Sequence, residues 1–87
     1  MKLELQHPKD NQDSFATYDI AIAAYLLCVG HEMVGFDRSN PKKVLFIFRK
    51  QENTQKEVDR YWDGQTFIDA QAFFNNLRRL KNQIHSG

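Results

Sequence analysis

Three histidines, one cysteine and a few closely spaced carboxylates are the residues of this 87-residue chain whose types could do covalent or metal chemistry. His7, His31 and His85 lie far apart, and none has a second ligand three or four residues away on a helix, the spacing that lets two side chains meet one ion. Cys28 has no second cysteine to pair with and no zinc-type neighbours. It sits inside an apolar run, where a thiol is expected to be packed, protonated and inert. Asp59 and Asp63 are four apart and could offer oxygens to a cation, but Lys56, Glu57 and Arg60 interleave with them as on an ordinary solvated helix face. The sequence has no phosphate-cradling glycine loop, nucleophile elbow or calcium loop. The expectation is a protein that is not an enzyme and uses no cofactor and no metal.

Contact with phosphates and base edges is better supplied. Residues 38–50 contain Arg38, Lys42, Lys43, Arg49 and Lys50 and no acid, and residues 70–87 contain Arg78, Arg79 and Lys81 and no acid. The formal net charge of +1 therefore conceals two basic segments set against an acidic remainder. Near-neutrality excludes a polycation of the histone kind, but it does not exclude a basic face. Amides interleave with the cations, and Asn75, Arg78, Asn82 and His85 follow a spacing that lines one side of a helix. The candidate nucleic-acid-binding set is Arg38, Lys42, Lys43, Arg49, Lys50, Asn75, Arg78, Arg79, Lys81 and Asn82. Each has a plainer use: cations near a helix C-terminus complement its dipole, and basic strand edges deter aggregation. The order of elements also departs from a winged helix, whose hairpin follows the recognition helix.

A third use of side chains is association with protein. Seven Phe, three Tyr and one Trp are many aromatics for a chain that buries only about 60% of its unfolded surface. Tyr61, Trp62 and Phe67 flank Gly64 and form the candidate protein interface, although for Trp62 the favoured expectation is that it anchors its helix on the sheet. The N-terminus lacks the apolar core of a signal peptide, and the longest apolar run, Ile20 to Val29, is too short to span a bilayer. A cytoplasmic protein without membrane contact is expected.

The elements that must position these residues read as a single α+β domain over residues 14–87, preceded by an extension, or a short strand plus loop, at residues 1–13. Thr17 is expected to cap a helix over about 18–29, with Asp19 in its first turn and Gly30 as its left-handed stop. The helix is apolar nearly all round, so it should be central and buried. A β-hairpin over about 31–50 turns at Ser39-Asn40-Pro41-Lys42. Its second run has Val44, Phe46 and Phe48 on one face and Leu45 and Ile47 on the other, as in a central strand. A third strand is wanted, with Lys2–Gln6, Ser14–Tyr18 and Gln65–Ile68 as candidates. Thr54 with Glu57 reads as a capping box opening a helix over about 54–63, with Val58, Tyr61 and Trp62 as its buried stripe. Asp69 should cap a last helix over about 69–85 whose apolar face is Ala70, Phe73, Phe74, Leu77, Leu80 and Ile84. The domain is expected to be a small antiparallel sheet packed against three helices.

The landmarks Ser14-Phe15-Ala16-Thr17-Tyr18-Asp19, Ala23-Ala24-Tyr25-Leu26, Gly30-His31, Val34-Gly35, Val44-Leu45-Phe46-Ile47-Phe48, Tyr61-Trp62-Asp63-Gly64 and Leu80-Lys81 resemble a family of small bacterial and phage proteins known only as a domain of unknown function. The resemblance covers roughly residues 14–84 and rests on apolar and glycine positions, which speak to fold more than to chemistry. It implies a prokaryotic or phage setting, a small standalone domain and no established activity. Residues and resemblance together lead to an expected role as an accessory protein-binding module, with nucleic-acid binding through the basic hairpin and last helix as the alternative.

Overall fold

In a computed structural model of the chain, residues 13–86 are described. They form β1 (Ser14–Thr17), α1 (Ile20–Cys28), β2 (Met33–Asp37), β3 (Leu45–Arg49), α2 (Thr54–Trp62) and α3 (Ala70–Ser86). The sheet has the order β1-β3-β2, with both outer strands antiparallel to β3. This is the expected α+β domain of three strands and three helices. β3 is central because Leu45, Phe46, Ile47 and Phe48 are apolar on both pleat faces, and all four are buried. The third strand is Ser14–Thr17, paired from Ser14 opposite Arg49 to Thr17 opposite Phe46. Gln65–Ile68, the rival candidate, is irregular, and Lys2–Gln6 lies outside the described residues.

β1 and β2 share β3 as partner and run parallel to each other, so α1 carries the chain across the sheet between them. Ile22 to Leu26 of α1 are all buried, and they pack with Phe46, Phe48, Val58 and Leu80 in one core. Alanines at 23 and 24, fully buried, let α1 and its neighbours approach closely. A register shift between Met33 and Gly35 leaves Val34 as the extra residue of a bulge on β2, half exposed.

Five sequence expectations change. Asp19, not Thr17, caps α1: its Oδ1 accepts from the backbone N–H of Ala21 and Ile22, while Thr17 Oγ1 accepts from Asp19 N–H. The helix ends at Cys28, and Gly30 takes the left-handed conformation with φ +92°, as a stop requires. Thr54 and Glu57 do not form a capping box. Thr54 is the buried first residue of α2, its Oγ1 accepting from Gln51 N–H, and Glu57 accepts from the Tyr25 hydroxyl instead. Trp62 is 65% exposed rather than a sheet anchor, and Phe74 is 59% exposed rather than part of the core stripe. Ala70 is exposed as well. In both aromatic cases an adjacent aromatic, Tyr61 or Phe73, takes the inner position, and successive residues on a helix diverge by about 100°.

Asp69 does cap α3, accepting from Ala72 N–H at 2.8 Å. No helix among the described residues is long and apolar enough to cross a membrane.

Candidate functional site

α2 has only one fully buried apolar side chain, Val58, so polar clasps contribute much of its attachment. The Tyr25 hydroxyl donates to Glu57 at 2.5 Å, and His31 Nε2 lies 2.8 Å from Thr54 Oγ1. Burial, reinforced by the hydrogen bond to Glu57 and its charge, pushes the Tyr25 hydroxyl up to about 12. Burial lowers the His31 pKa below its ordinary 6.5, against the opposing pull of Glu57. His31 Nδ1 is buried with no hydrogen-bond partner. These groups tie α2 to α1 and to the segment that follows α1, and no group of three or more His, Cys, Asp or Glu side chains that could hold a metal ion gathers among the described residues. Cys28 is half-buried and accepts a weak bond from Asn76 Nδ2 at 3.3 Å, which takes Asn76 away from any outward role.

The two basic segments meet. Arg38 leaves the end of β2 and donates from Nη2 to the carbonyl oxygens of Gln83 and Ile84, at 3.2 and 2.7 Å, in the last turn of α3. Carbonyls in the last turn of a helix sit at the negative end of its dipole, so a guanidinium suits them both as donor and as cation. An Asx-type turn, with Lys42 N–H on Asn40 Oδ1, shapes the β2–β3 connection. Lys43 lies over the Tyr18 ring, 4.7 Å from its centroid. Arg38, Asn40, Lys42, Lys43, Ile84 and His85 thereby line an open cleft between hairpin turn and helix end. A second, smaller groove on α3 is lined by Phe74, Leu77, Arg78 and Lys81, with the Arg78 guanidinium 5.4 Å from the Phe74 ring centroid.

The remaining candidates fall elsewhere. Arg49 pairs with exposed Glu32 at 3.1 Å, and it lies six residue steps along the extended chain from Lys43, about 20 Å at ~3.3 Å per residue. Arg49 and the exposed Lys50 therefore belong to the opposite end of the sheet. Asn75, Arg79 and Asn82 are exposed on α3 but line neither cleft. Among the interface candidates, Tyr61 is half-buried, its ring 5.9 Å from that of Tyr25 and 5.3 Å from that of Trp62. Phe67, in the α2–α3 connection, is 96% exposed and borders a hollow with Arg60, Gly64 and Gln65. Gly64 makes that corner possible with φ +70°. The sequence reading missed Phe74; the only hint was that Phe73 and Phe74 cannot both face the core.

Fold and surface together define a small α+β domain whose open features are a cationic cleft, a short aromatic–basic groove and an aromatic corner. The chain belongs to the family described as Domain of unknown function (DUF5659), whose model matches residues 12–86 and so contains all the landmark residues from Ser14 to Lys81. No curated protein and no solved structure matches it.

Proposed function

We propose that the protein is a non-enzymatic binding module that docks a protein partner on its α2–α3 corner, as an accessory part of a cytoplasmic assembly in the bacterial or phage setting that the family resemblance implies. The observation that supports this is Phe67, an aromatic ring 96% exposed on a corner that also presents Trp62 at 65%. Burying one such ring is worth about 1.5–3 kcal/mol, so an unburied pair on one corner is an anchor awaiting a surface. Trp and other aromatics set in exposed corners are the residue types that dominate binding energy at protein interfaces. The test uses wild-type protein and Phe67→Ser and Trp62→Ser variants as baits in lysate of the source cell. Proteins held by wild type and lost by both variants, with NMR shifts confined to residues 60–68 on addition of the purified partner, are expected. Capture that is unchanged by both substitutions overturns the assignment.

A second reading, nucleic-acid binding, is favoured by a separate observation: Arg38 ties the hairpin turn to the end of α3, so the cleft of Arg38, Lys42 and Lys43 and the groove of Arg78 and Lys81 both border that helix. Of the ten residues of that candidate set, Arg38, Lys42, Lys43, Arg78 and Lys81 fit it by position.

A further inference from the structure

Phe74, Arg78, Lys81 and His85 are spaced by four, three and four residues, which keeps them on one stripe of α3. The stripe is about 16 Å long at ~1.5 Å per residue. At its N-terminal end lies an exposed ring with a guanidinium against it; at its C-terminal end it runs into the cleft bordered by Arg38, Lys42 and Lys43. Five formal positive charges line this path, and among the described residues no carboxylate lines either cleft. Asp37, next to Arg38, directs its Oδ1 to the backbone N–H and hydroxyl of Ser39. The hydrogen bonds from Arg38 to the helix end fix the turn beside α3, so the path is continuous across two elements.

We propose that this path binds single-stranded nucleic acid, with an unstacked base on the Phe74 ring and the sugar-phosphate backbone following Arg78 and Lys81 to the Arg38–Lys42–Lys43 cleft. The proposal rests on the nucleic-acid reading above and adds the strandedness and the binding path. A ring open to solvent beside an arginine offers a stacking face that only a base outside a duplex can use. Cations strung along a helix and onward into a cleft follow a chain of phosphates rather than hold one point anion. The amides that would read base edges in a groove, Asn75 and Asn82, stand to one side and line neither cleft.

Fluorescence anisotropy on the full chain tests this with a labelled deoxythymidine oligonucleotide of about a dozen nucleotides. A duplex of equal length and a polyglutamate peptide of similar charge are the comparison probes, each titrated at several salt concentrations. The single strand should bind tightest, with log affinity falling against log salt at a slope of about −3.5 if all five cations meet phosphates. Phe74→Leu should weaken binding roughly tenfold and leave the slope unchanged. Lys42→Gln with Lys43→Gln should reduce the slope by about 1.4. All three positions are exposed, and unchanged circular dichroism and melting confirm that each variant is folded. A duplex bound as tightly as the strand, with Phe74→Leu silent, overturns the proposal and leaves the nucleic-acid reading standing. No binding of either nucleic acid at low salt removes both. Polyglutamate bound as tightly as the strand assigns the path to an acidic protein and overturns the proposal.

Discussion

His31 is 3% exposed, with one ring nitrogen on Thr54 and the other facing no partner. A neutral imidazole tolerates that arrangement, but a protonated one would hold a second buried N–H with nothing to accept it. Burial accordingly lowers its pKa from the ordinary 6.5, so in the acid range the unfolded chain binds a proton that the folded chain refuses. The His31 contribution to stability is then constant above about pH 6.5 and falls as pH drops below it, by at most about 1.4 kcal/mol per pH unit. Urea midpoints of wild type and His31→Gln at pH 7.5, 6.5 and 5.5 measure this. The gap between the two proteins should change below pH 6.5 and stay flat above it; a constant gap across the range would show that His31 titrates alike in both states. The sequence placed His31 at the start of a strand but held no sign of Thr54 as its partner, because a contact across 23 residues leaves no local spacing to read.

Among the elements, α1 has the clearest sequence signal and the smallest margin of its own. Nine residues are too few to form a stable helix in isolation, so burial of Ile22–Leu26 and the Asp19 cap must hold it. Asp19→Ala removes both bonds to Ala21 and Ile22 and is expected to cost about 1 kcal/mol. In a domain of this size that corresponds to a melting temperature lower by roughly 4–8 °C. Thr17→Ala should cost less, since its hydroxyl serves one N–H outside the helix; the reverse order in calorimetry would restore Thr17 as the cap. β3 was legible because both its faces are apolar. β1 was only one of three possibilities, because Ser-Phe-Ala-Thr has no strong alternation and its choice depends on which segment reaches the free side of β3. The helix stripes misled at Tyr61-Trp62 and Phe73-Phe74, where composition suggested two buried rings and helical geometry allows one.

On the scale of the whole molecule, charge is segregated in sequence and then regathered in space. Arg38 is what joins the two basic segments, across 45 residues to Gln83 and 46 to Ile84, and no pattern in the chain announces it. Arg38→Ala should cost little stability, within about 1 kcal/mol for exposed bonds of this kind. It should nevertheless release the last turn of α3. Amide exchange at residues 82–85 is expected to accelerate while that of Ala23–Leu26 stays as in wild type; unchanged exchange in the last turn would mean that packing of Ile84 alone secures it. The cationic track would then lose its continuity without any loss of charged residues other than Arg38 itself.

Among the described residues both outer strands bond only to β3, which ties completion of the sheet to the order in which the chain is made. Until Arg49 has been synthesised, this three-stranded sheet cannot be complete, because β1 and β2 have each been waiting for the same partner. α1, the most apolar helix, precedes all its core neighbours Phe46, Phe48, Val58 and Leu80, the last of which arrives more than half a chain later. A nascent chain therefore produces its greasiest helix among the first elements and covers it among the last. Leu80 of α3 belongs to the same core, so closure of the domain is expected to be cooperative and to wait for α3.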